Sequence, residues 1–515
     1  MNSEIARSVA KNTTVMMSSQ MITWLSSFIL MLFLPRYLGS EEYGRLYLAI
    51  SVTTIQQILI EFGGNYYLAK EIACRREQAA LLLSNAIGLR TVLWGLSLLL
   101  MFAFARAAGY SREIITLLVV LGVSKLWEGA RSTYYSCFQG IEKMQFPSLG
   151  AIVERAFVAT AGVVALLFGA GALTIALLMG ISTLLNLLVV TRFTPHIAER
   201  FVRPRWSEMK NIAAVSVPYF LCGMFSVIYY RIDAAMLPFW VPDAVVGWYG
   251  AAYRFFDVLM FLPSIFSIAV FPVLSKLWEK EDDSLASTTQ KSLHFILLAG
   301  IPISISVFAF SDEIIAMFFG AAEFGPSSLL LKIFSAGLLL VYIDFVLGTT
   351  LFASDRQKKW TVVACIAMFL NPALNYFLIP MTQFYAGNGG IGAAIATLLT
   401  EFFIMIMALL LLPADILGKT KAGAPAYGSV EAKGILSGAF MIATLAVLRS
   451  AHLPWLISTI MGFGVYGVAL VSLKAVEPQE MIFLKLFFSY RNLKTLFVFS
   501  QPKADLPLAE KEMNA

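Results

Sequence analysis

The stretch IYYRIDAAMLPFWVPDAVVGWYGAAYRFFD, residues 228–257, contains two apolar segments joined by a short turn. Arg231 and Asp233 lie before the turn, and Arg254 and Asp257 lie after it. Each arginine is about ten residues from the turn, which at about 1.5 Å per helical residue places it about 14 Å deep, near the middle of a hydrocarbon core about 30 Å thick. Charged side chains at that depth face a protein interior or a water-filled cavity. The stretch therefore predicts a helical hairpin that carries a polar site inside a membrane.

The whole chain has the composition of a membrane protein, with 59% hydrophobic residues, 14% charged residues and a mean hydropathy of +0.77. Soluble proteins carry about 25% charged residues. Long continuous apolar runs recur along the sequence, whereas the strands of a membrane β-barrel are short and alternate. We therefore predict an all-α polytopic membrane protein with about fourteen transmembrane helices. The predicted spans are 13–38, 43–69, 82–106, 112–137, 149–168, 172–191, 212–240, 245–274, 292–311, 327–353, 361–381, 390–412, 435–450 and 455–473.

Lysine and arginine are distributed unevenly between the predicted loops. The loops at 239–245, 312–326 and 382–389 contain neither residue, whereas each loop on the opposite side of the membrane contains lysine, arginine or both. Because positively charged loops stay on the cytoplasmic side, we predict that both termini are cytoplasmic. The net charge of +6 follows from this bias, and we expect no nucleic-acid partner.

A weak internal repeat relates two of the predicted hairpins. The matching residues, at one constant offset, are Leu34-Pro35, Gly44 and Ala49 with Leu237-Pro238, Gly247 and Ala252. Chance is the alternative, because Gly and Pro are common at turns. The repeat predicts two pseudo-symmetric six-helix lobes, residues 1–211 and 212–413, followed in residues 414–515 by a cytoplasmic linker, two further helices and a cytoplasmic tail. A transporter with such a repeat binds its substrate between the lobes.

The charges of the quoted hairpin differ in their local partners. Arg231 and Asp233 are two residues apart and point to different faces of a helix, so each needs a partner on another helix or in a substrate. Arg254 and Asp257 are three residues apart and can pair on one face. We therefore favour Arg231 for substrate binding, whereas an internal ion pair and a binding role are equally open for Arg254.

The fourth predicted span carries Lys125, Glu128 and Arg131 on one stripe. Their spacing of three allows a self-satisfied ladder of ion pairs. The stripe nevertheless has a surplus positive charge, which suits a wall that faces an anion. Three further charges lie near inner span ends, where long side chains extend to the membrane interface: Arg90, Glu154 and Arg155.

Carboxylates inside the predicted spans are candidates for coupling transport to protons or sodium ions. These are Glu61, Asp233, Asp257, Asp344 and Glu401. The alternative for each is a hydrogen-bonded partner for an arginine on another helix. The sequence has no P-loop and no histidines at metal-ligand spacing, so we expect no enzymatic activity and no bound cofactor.

Three blocks of sequence carry a resemblance to a known family. They are Asn12-Thr13-Thr14 with Phe33-Leu34-Pro35-Arg36-Tyr37-Leu38-Gly39 and Glu42-Tyr43-Gly44, then Gly64-Asn65-Tyr66-Tyr67, then Tyr230-Arg231-Ile232-Asp233 with Gly247-Trp248-Tyr249-Gly250-Ala251-Ala252-Tyr253-Arg254. Together they resemble the polysaccharide repeat-unit (O-antigen type) flippases of the multidrug/oligosaccharidyl-lipid/polysaccharide exporter superfamily. The resemblance covers spans 1–12, whereas spans 13 and 14 match only in number.

The resemblance implies a central cationic cavity between two lobes, and transport by alternating access without ATP hydrolysis. The implied substrate is an oligosaccharide on undecaprenyl diphosphate, moved from the cytoplasmic to the outer leaflet of the bacterial inner membrane for surface polysaccharide synthesis. A polysaccharide polymerase and glycosyltransferases are the implied partners. Arginine forks suit a diphosphate. We therefore expect substrate contacts from Arg231, Arg254, Lys125 and Arg131 and, within the matching blocks, from Asn65 and Tyr230.

Other functions stay open. A cation-coupled multidrug exporter of the same superfamily would line its cavity with carboxylates rather than with arginine and lysine. A lipid II flippase would need the same anion site. A membrane polymerase or ligase that acts on the same lipid would need a large outer loop with catalytic residues, and the sequence offers no such loop.

Overall fold

A computed structural model describes residues 3–197, 202–280, 284–412, 416 and 427–475. The described residues form helices and contain no β-strand, so the predicted all-α class is confirmed. The predicted tail after residue 475, most of the linker at 413–426 and the side chains of Asn12-Thr13-Thr14 lie outside the described residues.

The helices are α1 Ser3–Glu61, α2 Gly64–Cys74, α3 Ala79–Ala107, α4 Arg112–Gly140, α5 Gln145–Leu167, α6 Ala172–Thr191, α7 Trp206–Met236, α8 Asp243–Leu259, α9 Phe261–Glu279, α10 Ser284–Ala309, α11 Ser311–Phe318, α12 Ala321–Phe324, α13 Ser327–Ala353, α14 Gln357–Ala386, α15 Gly390–Leu411, α16 Tyr427–Ser450 and α17 Trp455–Ser472.

Many of these helices can cross a membrane. In the described part of the chain, 11 are long and apolar enough, or up to 12 if the bent pair Trp206–Leu221 and Gly223–Phe239 is one span. The chain is therefore a multi-pass membrane protein. The count of about fourteen stays a prediction. It requires that the 53-residue element Ile22–Cys74 crosses twice, since one span needs only about 20 residues, and that α4 crosses despite its charges.

The helices pack in two sets that meet along one seam. In the first set, α1 packs on α4 and α5, α3 packs on α4, and α6 packs on both α4 and α5. In the second set, α13 packs on α8, α9, α10 and α15, while α14 packs on α7 and α15. The sets meet where α1 packs on α7 and α8 and where α2 packs on α7. The helices α16 and α17 pack on each other and on α10. This division is compatible with the proposed lobes, residues 1–211 and 212–413.

Two glycines make the closest contacts in the seam. A methyl group on Gly44 would overlap the carbonyl oxygen of Asp243, and one on Gly247 would overlap the carbonyl oxygen of Ser40. In the proposed repeat, Ser40 corresponds to Asp243 and Gly44 corresponds to Gly247. The two contacts are therefore reciprocal, as they are in an interface with twofold symmetry. Small residues allow helix backbones to approach this closely in membrane proteins, so the contacts favour the repeat over chance.

Candidate functional site

A cavity of about 870 Å³ lies in the seam between the two sets of helices. Its walls come from α1, α5 and α6 of the first set and from α8, α9 and α13 of the second. Most of the lining is apolar, and its charged side chains are Arg155, Arg254 and Asp257. The hydroxyl-bearing rings of Tyr43 and Tyr47 also line it. A cavity of this size is within the range that holds small-molecule ligands, about 300–1,000 Å³.

Arg231 is bound to Asp257 rather than left without a partner. The Nη2 atom of Arg231 lies 3.3 Å from Oδ2 of Asp257. Its guanidinium also lies over the rings of Tyr230 and Tyr253, at 5.8 and 5.5 Å from their centroids. The sequence required a partner for Arg231 on another helix or in a substrate, and Asp257 of α8 is the partner on another helix. Spacing within one helix could not reveal a partner that the hairpin brings across from α8.

Arg254 is the arginine of this hairpin that lacks a carboxylate partner. Of the two roles left open for Arg254, the ion pair with Asp257 is absent from the described residues, and the Asp257 carboxylate binds Arg231 instead. The Arg254 guanidinium lies beside the hydroxyl group of Tyr43, on the far side of the seam. Arg254 therefore lines the cavity with a positive charge that no described carboxylate neutralises.

The charged stripe of α4 forms a closed ladder with a residue of α5. Glu128 lies 2.7 Å from Nζ of Lys125 and 3.4 Å from Nη2 of Arg131. Glu154 of α5 lies 3.4 Å from Nη1 of Arg131 and accepts a hydrogen bond of 2.5 Å from Asn186. The predicted surplus positive charge is thus balanced by Glu154. The prediction that Glu154 extends to the membrane interface is wrong, because its side chain is buried against α4 and α6.

Arg155 is the second cavity cation, and the sequence did not single it out for binding. It follows Glu154 directly, so the two side chains point about 100° apart around α5. Glu154 faces the ladder while Arg155 lines the cavity, and no described residue forms an ion pair with Arg155. It is the eleventh residue of α5, about 15 Å from the helix start, and its side chain is exposed; its predicted position at the membrane interface stays a prediction. In the sequence, the adjacent opposite charges of Glu154 and Arg155 are the pattern that could have identified Arg155, because neighbouring residues on a helix point in different directions.

Asn65 and Glu61 belong to a hydrogen-bond network outside the cavity. Asn65 donates to Glu61 Oε2 at 2.9 Å and accepts from Nη2 of Arg90 at 2.6 Å. Gln57 donates to the other oxygen of Glu61, also at 2.9 Å. Arg90 further donates to Gly129, Ser132 and Thr133 of α4 and is only 4% exposed, which contradicts its predicted position at the interface. The network therefore occupies the polar groups of Asn65 and Glu61.

Asp233 and Tyr230 also lie away from the cavity lining. The Asp233 carboxylate is 2% exposed and accepts hydrogen bonds from Tyr249, Asn375 and Thr397, at 2.8, 2.6 and 2.8 Å. The carbonyl oxygen of Tyr230 accepts a hydrogen bond from the Tyr253 hydroxyl. The Asp233 carboxylate thus has three uncharged donors around it. Tyr230 contributes its ring to the Arg231 contact.

Asp344 of α13 and Glu401 of α15 lie within hydrogen-bond reach of each other. Neither oxygen of Asp344 has a hydrogen-bond donor among the described residues. The five predicted coupling carboxylates therefore fall into two groups. Glu61, Asp233 and Asp257 are each held by donors or by an arginine, whereas Asp344 and Glu401 face each other.

The seam is tied shut at the end that the charge bias predicts to be outside. Arg45 Nε lies 2.7 Å from Oδ2 of Asp243, and the Tyr110 hydroxyl donates to the carbonyl oxygen of Ala235 at 2.8 Å. The Glu323 carboxylate accepts a hydrogen bond of 2.9 Å from the backbone nitrogen of Ser40. It does so where α1 breaks at Gly39, whose φ of 74° suits glycine. Each tie joins the first set of helices to the second.

Two family profiles match the chain. "Polysaccharide biosynthesis protein" matches residues 9–278, and "Lipid II flippase MurJ" matches residues 145–470. A relative in Haloferax volcanii, the probable low-salt glycan biosynthesis flippase Agl15, is 26% identical over 43% of this chain and 46% of its own length. The chain thus matches only about half the length of that relative.

Two solved structures share the fold. The lipid II flippase MurJ in an inward closed conformation has a TM-score of 0.70 and 17% identity, over 93% of this chain and all of its own. A multidrug resistance MATE family transporter of the MOP superfamily, in an inward-facing conformation, has a TM-score of 0.65 and 13% identity, over 78% of this chain and 97% of its own.

Proposed function

Because the chain belongs to the polysaccharide flippase family of the multidrug/oligosaccharidyl-lipid/polysaccharide exporter superfamily, we propose that it translocates an oligosaccharide linked to a polyprenyl diphosphate. The proposed direction is from the cytoplasmic to the outer leaflet of the bacterial inner membrane. The observation that carries the proposal is the pair of cavity arginines, Arg155 and Arg254, neither of which forms an ion pair with a described carboxylate.

A diphosphate is the ligand chemistry that fits this arrangement. Guanidinium groups bind phosphate oxygens through paired hydrogen bonds. One arginine comes from each side of the seam, so a diphosphate between them would contact both halves of the protein. The apolar lining, which includes Trp24, Phe28 and Phe261, keeps the local dielectric low and strengthens such contacts.

We assign structural roles to the other residues that the sequence predicted to contact the substrate. Lys125 and Arg131 are neutralised by Glu128 and Glu154, and we assign them to holding α4 against α5. Arg231 holds Asp257 away from Arg254. Asn65 and Tyr230 are assigned to internal contacts of their own helices and neighbours. Arg155 and Arg254 are the proposed substrate contacts.

Transport requires the seam to open alternately at its two ends. The ties from Arg45, Glu323 and Tyr110 close the end predicted to be outside. Release of the glycan on that side therefore requires these ties to break. With the cell interior negative, outward movement of an anion gains about 2.3 kcal/mol per charge per 100 mV, and no ATP is needed.

A lipid II flippase is the second candidate, because the MurJ profile also matches more than half of the chain. Lipid II offers the same diphosphate, so the two arginines do not separate the candidates. A cationic multidrug substrate fits less well, because the one carboxylate in the cavity lining is bound to Arg231. We likewise propose that the chain itself is not a polymerase or ligase.

Complementation tests the proposal. A strain that lacks its surface polysaccharide flippase should regain polysaccharide export with the wild-type chain, whereas a strain depleted of its lipid II flippase should not regain growth. Arg155→Ala and Arg254→Ala should each reduce export, and their combination should abolish it.

Arg106→Ala is the matched control, because Arg106 is exposed on α3 and does not line the cavity. Equal membrane levels of each variant are checked by immunoblotting. Export at the wild-type rate by the double variant would overturn the anion site, and rescue of the lipid II strain alone would favour the second candidate.

A further inference from the structure

We propose that Asp344 and Glu401 share a single proton and form a proton-binding site in the second half of the chain, separate from the central cavity. Asp344 lies on α13 and is 7% exposed, and Glu401 lies on α15 and is 4% exposed. Neither residue lines the cavity.

The pair lacks a hydrogen-bond donor. The two carboxyl groups are within hydrogen-bond reach, yet a carboxylate can only accept hydrogen bonds. Neither oxygen of Asp344 meets a donor among the described residues. Two ionised carboxylates in contact, away from water, repel each other strongly. One proton between them removes one charge and supplies the missing donor.

The surroundings of the pair supply no compensating positive charge among the described residues. Calcium and magnesium ions need about six oxygen ligands, and the described residues contain no group of three or more His, Cys, Asp or Glu suited to a metal ion. No described residue forms an ion pair with Asp344 or Glu401. The titratable groups that act on the pair are Tyr229, Tyr230 and Asp233, all from α7, and none is positively charged.

The neighbouring carboxylates differ from this pair in their partners. Asp233 receives three uncharged donors, and Asp257 has an arginine. Each of these two carboxylates therefore has donors or a cation in contact with it. Asp344 has neither kind of partner, so it is the carboxylate for which the described structure leaves the charge uncompensated.

Helix α7 connects this pair to the cavity. Tyr229 lies next to both carboxyl groups, and two residues further on Arg231 binds Asp257 in the cavity wall. The helix is bent by 54° between Trp206–Leu221 and Gly223–Phe239. Loss of the shared proton adds a negative charge beside α7, which shifts the balance between its positions.

The linkage of this proton to transport rests on the proposed function, whereas the shared proton does not. Infrared spectroscopy of the full chain in lipid tests the shared proton directly, because the carbonyl stretch of a carboxylic acid is separate from the bands of carboxylates. The wild type should show this band near neutral pH, with a shift in deuterium oxide. Asp344→Asn and Glu401→Gln should each lose it.

Asp257→Asn is the matched control and should retain the band, because its carboxylate is paired with Arg231. Glu61→Gln is a second control that does not depend on that ion pair. Absence of the band from the wild type, or its persistence in both Asp344→Asn and Glu401→Gln, would overturn the proposal. Size-exclusion profiles equal to the wild type show that the variants are folded.

Proteoliposomes test the linkage separately, with a fluorescent polyprenyl diphosphate disaccharide as the probe. An imposed proton gradient should change the rate of wild-type translocation several-fold and leave the rate of Glu401→Gln unchanged. A gradient response in Glu401→Gln equal to that of the wild type would overturn the linkage. No translocation by any variant would contradict the proposed function and leave the infrared result to decide on the proton.

Discussion

The guanidinium of Arg231 binds the carboxylate of Asp257 across the α7–α8 hairpin, with 3.3 Å between Nη2 and Oδ2. This contact decides which charge of the hairpin is available in the cavity. Asp257 lies one helical turn after Arg254, yet it is engaged by the other arginine. The charge of Arg254 is therefore available to a ligand. The hairpin contains one arginine with a structural role, Arg231, and one candidate for ligand binding, Arg254.

Removal of one partner of this ion pair should destabilise the protein. Asp257→Asn leaves the Arg231 charge uncompensated in a partly buried position, and we expect a loss of up to about 3 kcal/mol in the free energy of unfolding. The double variant Arg231→Met with Asp257→Asn should lose less than the sum of the single losses, because no unpaired charge remains. Thermal unfolding in detergent measures both effects. Additive losses would show that the two side chains do not interact.

The glycine contacts in the seam predict that alanine at Gly44 destabilises the closed outer end, whereas alanine at Gly95 does not. Gly44→Ala places a methyl group against the backbone of Asp243, so we expect the closed outer end to lose about 1–3 kcal/mol. Gly95→Ala is the matched control, because nothing lies within 4 Å of the added group and alanine favours a helix by about 1 kcal/mol. Thiol labelling of Ala235→Cys in a chain without native cysteines reports opening, and Gly44→Ala should accelerate it. Equal labelling in both glycine variants would contradict the assignment.

Separation of Arg45 from Asp243 should be necessary for transport. The two side chains are 2.7 Å apart across the seam, so cysteines at both positions should react with one short bifunctional thiol reagent. Crosslinking should stop polysaccharide export, and a cleavable reagent should allow its recovery after reduction. Each single-cysteine variant, treated in the same way, controls for modification alone. Undiminished export by the crosslinked protein would show that the outer end does not open there.

A pH effect is expected outside the membrane, at Asp312 in the short helix α11. A hydrogen bond from Lys332 holds the pKa of the Asp312 carboxyl below its usual value. A lowered pKa in the folded state stabilises the protein above the unfolded pKa of about 4, and this contribution is lost as pH falls through the folded value. The Tm of the wild type should therefore fall more steeply than that of Asp312→Asn below about pH 4. Parallel Tm curves for the two proteins would contradict this role.

Sequence reasoning reached the helical class, the membrane location and the polar hairpin because each depends on local patterns. Long apolar runs specify membrane helices, and charges deep within them mark an interior site. The repeat predicted that Gly44 and Gly247 occupy equivalent positions, and their reciprocal contacts agree with it. The number of spans stays a prediction. Composition alone does not show whether the charged helix α4 crosses the membrane, or whether the long element Ile22–Cys74 crosses it twice.

The partners of the buried charges could not be read from the sequence. Glu154 neutralises Arg131, and Asp257 neutralises Arg231, from helices whose facing sides depend on the packing of the whole bundle. Spacing along one helix identifies only local pairs. For the same reason the sequence did not reveal that Arg155 of α5 lines the cavity.

Translocation of a defined lipid by purified protein tests the central claim most directly. Proteoliposomes carry a fluorescent disaccharide on polyprenyl diphosphate or on polyprenyl monophosphate, and a membrane-impermeant quencher reports the leaflet. The wild type should move the diphosphate faster than the monophosphate. Arg155→Ala and Arg254→Ala should each slow diphosphate movement by about 30-fold, as expected for loss of about 2 kcal/mol of charged hydrogen bonding. Arg254→Lys should be intermediate, because lysine keeps the charge and loses the paired donors, and Arg106→Ala should match the wild type. Equal rates for both lipids, or wild-type rates in the double variant Arg155→Ala with Arg254→Ala, would contradict the account.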